Sequence, residues 1–361
     1  MPSSSWLNCC TPTCSTNRNA ALKALPPLTA HPYRLTTALL VIALVLSVLV
    51  GSVFIPPIEV WRALVGAAPA ASEAFSTILF SLRLPRTALM ALVGACLAGS
   101  GTAYQGLFRN PLADPYLIGV ASGAGLAAVL AMGVRGLFSA TSLFFVPLAA
   151  FTGGLLTVLA VYLLARVGKT VPTTNLILAG VAVSSFTTAL TSFLMLQATG
   201  ELRRALVWML GGSTLSGWQP VLALLPYAVV GLGALLTSGY SLNVLQFGDE
   251  QAAQMGLPVT RVRVFVIAAA SLCAAAAVAF AGVIGFVGLI VPHLARLVWG
   301  GDYRRLLPIS ILSGAALLLL ADVLARVLLA PQELPVGVIT ALAGAPFFLW
   351  VLRRSRQQNY W

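Results

Sequence analysis

Long apolar segments of near 20 residues alternate with short polar connections along most of the chain. A hydrocarbon core of about 30 Å requires about 20 helical residues, at 1.5 Å per residue. The uncharged stretch from Val264 to Ala295 is too long for one crossing, and its glycines at 282, 285 and 288 predict a reversal that divides it. The pattern therefore predicts ten membrane-spanning helices, at approximately 35–55, 87–107, 115–134, 143–165, 176–198, 219–238, 264–281, 284–299, 306–327 and 335–352.

Two connections are longer and more polar than simple turns. Residues 199–218 begin with charged side chains and predict a short amphipathic helix outside the bilayer, followed by a Gly-Ser loop. Residues 241–263 form the longest polar insertion between spans. Within this insertion, residues 249–255 predict a helix that stops at Gly256, with a proline two positions further on.

The composition agrees with a membrane protein. Of the 361 residues, 59% are hydrophobic and only 8% are charged, whereas soluble domains carry about 25% charged residues. A water-soluble fold of this size cannot cover so much apolar surface. We therefore expect an all-α polytopic membrane protein, with a transmembrane domain over 35–354. A disordered polar tail over 1–34 precedes it and a short tail over 355–361 follows it.

The five cysteines do not indicate a metal centre or a cofactor. Cys9, Cys10 and Cys14 resemble half of a metal site, but no nearby Cys or His completes it, so we interpret them as part of an unpaired polar tail. Cys96 and Cys273 lie inside apolar runs and are expected to be small core residues.

The basic residues indicate the orientation of the chain. The net charge is +12, and the Lys and Arg residues lie between apolar runs, which is typical of topology and phospholipid contact rather than of nucleic-acid binding. With both termini inside, 14 of the 21 basic residues fall on the inner side, which favours N-in and C-in. More basic residues remain outside than topology needs: Arg62, Arg83, Arg86, Arg135, Arg203, Arg204 and Arg326.

No motif supports catalysis or an ATP site within the chain. Residues 168–170 have the Gly-Lys-Thr ending of a phosphate-binding loop, but Leu163 stands where the first glycine of that loop is required. His31 and His293 are the only histidines, so no HExxH motif or Ser-His-Asp set exists. The sequence therefore predicts a transport subunit rather than an enzyme.

Charge inside the predicted spans is scarce. Asp322 is the main intramembrane charge, and Arg326 lies one helical turn further on, where it can neutralise that carboxylate. An ion- or proton-coupled secondary transporter, which remains the alternative, needs a spaced relay of titratable groups. The scarcity of such groups favours energy supply by a partner ATPase.

Several motifs in a fixed order strongly resemble one transporter family. They are Leu82-Arg83-Leu84-Pro85-Arg86, Arg109-Asn110-Pro111-Leu112-Ala113-Asp114-Pro115, Leu178-Ala179-Gly180, Trp208-Met209-Leu210-Gly211-Gly212, Gly248-Asp249-Glu250-x-Ala252-x-x-x-Gly256, Gly285-Phe286-x-Gly288-Leu289-x-x-Pro292-His293 and Glu333-Leu334-Pro335-x-Gly337. The chain resembles the FecCD family, the permeases of type II ABC importers for iron–siderophores, haem and cobalamin, over about residues 35–354. The cobalamin permeases look similar through the closing segment as well.

The resemblance implies a homodimer of ten-helix subunits in the cell (inner) membrane, in contact with membrane lipid and with the transport pathway at the subunit interface. Two copies of an ABC ATPase subunit bind the inner side. A periplasmic or lipid-anchored substrate-binding protein docks outside. The motifs do not identify which chelate is transported. The frequency of each substrate within the family places iron–siderophore first, haem second and cobalamin third.

The resemblance also assigns roles to individual residues. Arg83, Arg86 and Arg326 match arginines that receive acidic residues of the binding protein, with anchoring to lipid phosphates as the alternative. The insertion 241–263 matches the coupling helices that seat in the ATPase, and its matched residues are Asp249, Glu250, Ala252 and Gly256.

A further match concerns a cytoplasmic gate. Thr173 and Thr174, in the loop before the fifth span, match one constriction of the pathway. Asn110 and Leu112 match a second constriction just inside it. The alternative for all four is a role as ordinary loop and capping residues. The additional proline at 172 leaves the shape of the first loop open.

Overall fold

The computed structural model describes residues 31–51, 56, 58, 60–62, 76–135, 144–168, 170–197, 202–212 and 216–356. Over these residues the fold is helical, apart from an isolated β-bridge between Val167 and Thr170. Most of the predicted N-terminal tail, including Cys9, Cys10 and Cys14, lies outside the described residues, as do residues 357–361.

The α-helices follow one another in the order expected from the apolar pattern. They are α1 Pro32–Leu49, α2 Leu84–Leu107, α3 Val120–Arg135, α4 Phe145–Ala165, α5 Thr173–Gln197, α6 Leu202–Met209, α7 Gln219–Thr237, α8 Gly239–Leu245, α9 Asp249–Gln254, α10 Val259–Ala281, α11 Val287–Trp299, α12 Tyr303–Val327 and α13 Val336–Arg356.

Seven helical segments are long and apolar enough to cross a membrane: α1, Ile78–Leu107 (which contains α2), α4, α5, α7, α10 and α12. Shorter apolar helices occupy α3, α11 and α13. These ten correspond in number and order to the ten predicted spans. The predicted reversal is confirmed, because α10 ends at Ala281, Gly282 takes a left-handed φ of 74°, and α11 begins at Val287.

Two predicted boundaries differ for reasons of local backbone chemistry. The second span was expected from residue 87, but α2 begins at Leu84 and continues a π-helical segment, Ile78–Arg83. The third was expected from residue 115, but Pro115–Ile118 forms a 3₁₀ turn. The Asp114 carboxylate caps that turn by accepting from the Tyr116 N–H at 2.8 Å, which delays the helix.

The fifth span also begins earlier than expected. Helix α5 starts at Thr173, so the prediction that Thr173 and Thr174 lie in a loop is wrong. Both occupy the first helical turn, directly after Pro172. The N–H groups of a first turn have no intrahelical partner, so this end of α5 can still meet other polar groups.

Helices α2, α10 and α12 form the centre of the bundle. Nearly all of α2 from Val93 to Leu107 is buried, as is α10 from Cys273 to Ala281. Glycines let these helices approach closely, since Gly94 of α2 packs on the backbone of Gly314 in α12. The absence of a side chain at Gly94 therefore lets α2 and α12 meet backbone to backbone.

Both polar connections contain the short helix that was predicted, but the second connection ends earlier than the predicted residue 263, because α10 begins at Val259. Residues 202–209 form the short helix α6. Helix α9 occupies residues 249–254, and Gly256 follows it with φ +84°, a left-handed conformation that glycine adopts without strain.

Candidate functional site

Charged side chains gather where the C-terminus of α1 meets the N-terminus of α2 and the C-terminus of α12, a region we call the arginine end. The carboxylate of Asp322 is fully buried. Arg86 Nη2 lies 2.9 Å from Asp322 Oδ1, and Arg326 Nε lies 3.0 Å from Oδ2, which confirms the predicted pair. Arg86 also contacts Glu333 Oε2 through Nη1 at 2.6 Å. Two carboxylates and two arginines thus form one chain of contacts.

Two arginines of this end hold the last turn of α1. Arg83 donates from Nη1 to the carbonyls of residues 48 and 49 at 2.7 and 3.0 Å, and Arg326 donates to the carbonyl of Ser47 at 3.2 Å. The final carbonyls of a helix lack intrahelical donors and favour cations. Arg83 and Arg326 are only 7% and 4% exposed, whereas the side chain of Arg86 is 29% exposed. Of the three predicted docking residues, Arg86 therefore reaches the surface most.

The predicted gate residues lie at the other end of the bundle, which we call the α9 end. Thr174 is exposed on the first turn of α5, and Thr173 is half-buried. Asn110 is exposed in the connection between α2 and α3, and its Oδ1 accepts from the Leu112 N–H at 2.9 Å. This Asx-type contact fixes the turn that carries both residues.

Helix α5 packs on the connection that carries the second pair of gate residues. A side chain at Gly180 would overlap the carbonyl of Leu117, in the 3₁₀ turn that follows Asn110 and Leu112. Further along the same connection, α5 also contacts Gly119, since a Cβ added to Gly119 would lie 3.3 Å from the Ser184 hydroxyl of α5. Helix α5 and the connection after α2, which carry the two pairs of predicted gate residues, are therefore in direct contact.

Asp114 contributes a titratable group to this connection. Burial raises the pKa of the Asp114 carboxyl to about 6, against the hydrogen bond from the Tyr116 N–H, which lowers that pKa. The carboxyl thus changes charge in a range of pH where an ordinary aspartate stays ionised.

Helix α9 presents most of its surface to the surroundings. Ala252 is its fully buried residue, and it attaches the helix to the bundle. Glu250 is exposed and the side chain of Asp249 is 45% exposed. Both acids occupy the first turn, where a negative charge is favourable. A short helix of this kind, outside the apolar spans, is accessible to a partner protein.

Polar contacts attach the insertion to the neighbouring helix at its start. Asn243 Nδ2 donates to Asp302 Oδ1 at 2.6 Å, and Asn243 Oδ1 accepts from the Tyr303 N–H at 2.8 Å. Asp302 caps α12 by accepting from the Arg304 N–H. The hydrogen bond from Asn243, followed by that from Arg304, lowers the pKa of the Asp302 carboxyl.

No group of three or more His, Cys, Asp or Glu side chains in the described part of the chain could hold a metal ion.

The family model of the FecCD transport family matches residues 39–354. The chain belongs to the FecCD transport family. It is a multi-pass permease, and the resemblance seen in its sequence motifs is confirmed.

Relatives of this FecCD permease differ in what their names say they import. The present chain is 47% identical over 281 residues to the cobalamin import system permease protein BtuC of Halobacterium salinarum, and the match covers 78% of this chain and 74% of that protein. It is 40% identical over 311 residues to the Fe(3+) dicitrate transport system permease protein FecD of Escherichia coli, covering 86% of this chain and 94% of that protein.

A solved structure shares the fold. It is described as an inward-facing conformation of a metal-chelate type ABC transporter, and it matches with a TM-score of 0.77 and 31% identity. The match covers 90% of this chain and 99% of that chain. The all-α permease architecture predicted from the sequence is therefore confirmed.

Sequence reasoning missed several contacts of the FecCD permease, among them the following three. Glu333 pairs with Arg86, Asp114 caps the turn after α2, and Arg263 joins Asp249 across a turn. In a chain with 8% charged residues, opposite charges on either side of a predicted turn were an available signal for the last pair. Arg86 and Glu333 lie 247 positions apart, so their pairing gave no such local signal.

Proposed function

We propose that the chain is the membrane-spanning subunit of an ATP-driven importer that carries metal chelates of the iron–siderophore, haem or cobalamin type into the cell by alternating access. The observation that supports this most directly is the position of α9. This exposed helix lies outside the apolar spans, at the end that carries the candidate gate residues. A partner ATPase that seats on α9 displaces the gate-bearing segments as it closes.

In this proposal Thr173 and Thr174 form one cytoplasmic constriction, and Asn110 and Leu112 form the second. The direct packing of α5 on the turn after Leu112 supports their movement as a unit. Asp249, Glu250, Ala252 and Gly256 form the seat of the ATPase: Glu250 is exposed, Asp249 is partly exposed and Ala252 anchors the helix. The glycine lets the chain turn sharply into α10.

The arginine end is the docking surface for the external binding protein in this proposal. Arg86 makes direct contact, because its side chain reaches the surface beside Glu333. Arg83 and Arg326 support it from below by fixing the end of α1, and Arg326 also shares Asp322 with Arg86. Acidic side chains of the binding protein then meet a positive surface whose geometry is held by buried contacts.

The partner across the transport pathway is a second copy of the chain. Helix α5 begins with the candidate gate residues and leaves large apolar side chains uncovered along its length, among them Leu178, Val181 and Phe186. A homodimer places two such faces around one pathway, with the remaining apolar surface in lipid.

A secondary transporter fits the same residues less well. Among the described spans Asp322 is the buried carboxylate, and two arginines already neutralise it. A carboxylate held in this way is not free to carry a proton across the membrane. Energy from a partner ATPase therefore remains the better supported proposal.

Reconstitution tests the proposal. The permease is inserted into proteoliposomes with the ABC ATPase and the binding protein encoded beside it, and uptake of radiolabelled ferric citrate, hemin and cyanocobalamin is measured with and without ATP. We expect uptake of one probe class that needs ATP, both partners and an intact ATPase active site. Uptake driven by an ion gradient without the ATPase would contradict the proposal and favour the secondary transporter.

A further inference from the structure

Arg263 is a buried cation that connects three segments of the α9 end. It lies in the first turns of α10 and is 6% exposed. Its Nη2 donates to Asp249 Oδ2 at 2.6 Å, and its Nη1 donates to the carbonyl of Val171 at 2.7 Å. Asp249 is the first residue of α9, and Val171 lies two positions before Thr173, where α5 begins.

These two contacts determine where the guanidinium lies. A buried charge is tolerated only when it is paired and hydrogen-bonded. The remaining nitrogen of the group, Nε, has no hydrogen-bond partner among the described residues. The planar guanidinium can hold a carboxylate and a carbonyl at fixed positions at the same time, which the single ammonium of a lysine cannot reproduce.

A second arginine brings the other candidate gate segment to the same place. Arg109 directly precedes Asn110 and has a left-handed backbone, with φ 52°. Its Nη1 lies 3.2 Å from the position that a Cβ on Gly248 would occupy. Gly248 is the N-cap of α9. Both gate-bearing connections thus meet the N-terminal end of α9, one through Arg109 and one through Arg263.

We infer that Arg263 is a positioning residue that makes the first turn of α5 follow the displacement of α9. This inference rests on the proposed function and deepens it. When the ATPase moves α9, the Asp249 carboxylate pulls the guanidinium, and the guanidinium carries the Val171 carbonyl with it. Thr173 and Thr174 follow, because only Pro172 lies between Val171 and Thr173, and Thr174 is the next residue. Without the bridge, α9 moves and the gate does not.

The central experiment measures coupling in the complete complex of permease, ATPase and binding protein. Arg263→Lys retains the charge but lacks the two separate nitrogens that hold the two acceptors at fixed positions, and Asp249→Asn removes the ionic contact at a surface residue. Arg261→Lys is the matched control, because Arg261 lies two positions away and is exposed. We expect both test variants to lower the amount of chelate carried per ATP hydrolysed by about fivefold or more, and the control to keep the ratio of the unmutated complex.

A second measurement follows the gate itself and needs no substrate. Thr174→Cys is introduced into a chain whose five cysteines are replaced by serine or alanine, and its labelling by a maleimide is timed with and without vanadate-trapped ADP on the ATPase. We expect trapping to change the labelling rate with Arg263 present, and to leave it unchanged with Arg263→Lys. If Arg263 had a merely structural role, its substitution would alter the labelling rates with and without trapped ADP by the same factor, and their ratio would stay as in the unmutated complex.

The outcomes separate this inference from the proposed function. Normal transport per ATP in Arg263→Lys and Asp249→Asn, with a normal response of the labelling rate, overturns the bridge and leaves the importer proposal standing. Absence of ATP-dependent uptake by the unmutated complex, for each of the three probes, overturns the importer proposal and the inference together. If Arg263→Lys fails to fold, Asp249→Asn decides the result. Because Asp249 also belongs to the proposed ATPase seat, transport per ATP by this variant is measured in complexes that retain the ATPase.

Discussion

Gly101 of α2 lies directly against Gly288 of α11, so closely that a methyl group on Gly101 would overlap the carbonyl of Gly288. Neither residue has a side chain, and the two helix backbones therefore meet without an intervening layer. Close backbone contact of this kind holds membrane helices together where no hydrophobic effect acts between them. It also makes the position intolerant of the smallest substitution.

We expect Gly101→Ala to destabilise the subunit by about 2 kcal/mol or more, or to prevent its assembly, because the backbone of α11 has to move. The yield of monodisperse protein in detergent and its thermal unfolding measure this. Gly125→Ala, on α3, is the matched control: nothing lies within 4 Å of the added methyl group. The control should be neutral or slightly stabilising. Equal stability of the two variants would contradict the packing.

Substitution of Arg86 tests the docking proposal. We expect Arg86→Gln to weaken binding-protein docking about tenfold and to flatten its salt dependence, since a contact between opposite charges is lost. Docking affinity is measured at two salt concentrations. Arg203→Gln is the control, because Arg203 is an exposed arginine of α6 on the same predicted side. Equal effects of the two variants would favour general attraction to acidic groups or to lipid phosphates.

Gly256 tests the seat of the ATPase. Its φ of +84° is strained for residues with a side chain, and no atom lies within 4 Å of an added Cβ, so a substitution acts through the backbone alone. Gly256→Val should insert normally into the membrane but lose ATPase association in co-purification. Gly256→Asn should keep that association, because asparagine tolerates the left-handed region. Normal association of the valine variant would refute the assignment.

Asp114 predicts a pH dependence of stability. Its pKa in the folded protein is raised to about 6, above the ordinary value of about 3.9. Protonation therefore stabilises the fold fully below about pH 4, and that stabilisation is lost as pH rises through about 6. Asp114→Asn should raise the Tm at neutral pH by a few degrees and remove the gain in stability that the unmutated protein shows on acidification.

Asp302 provides the comparison of opposite sign. The pKa of its carboxyl is lowered in the folded protein, so its contribution to stability is present above the ordinary pKa and is lost as pH falls through the lowered one. Asp302→Asn should therefore lower the Tm at neutral pH and have less effect in acid. Thermal unfolding of both variants is measured from pH 8 down to below the ordinary aspartate pKa of about 3.9, because the Asp302 contribution is lost only there, and curves that stay parallel to that of the unmutated protein over this range would contradict both assignments.

Local signals accounted for most of the fold. Apolar length predicted the spans, and the glycine and proline after residue 255 predicted where α9 stops. The pair of Asp322 and Arg326 was also readable, because the two residues lie one turn apart on the same helix.

Several of the contacts that the sequence did not predict join distant segments. Val171 and Arg263 are 92 positions apart, and Ser47 and Arg326 are 279 apart. Which carbonyl a buried guanidinium reaches is decided by how the helices pack, and neither periodicity nor turn chemistry contains that information. The helical start at Thr173 was missed for a related reason, since the boundaries of helices depend on tertiary contacts as well as on local preference.

Helix α10 has a particular consequence for how the subunit is made. Among the seven candidate spans it has the highest mean hydropathy, 2.5, and also the largest buried share, 78%. During synthesis a nascent helix partitions into the bilayer by its own hydropathy, before its neighbours are in place. The segment best able to enter the bilayer by itself is therefore the one that loses most of its contact with acyl chains when the other helices pack around it.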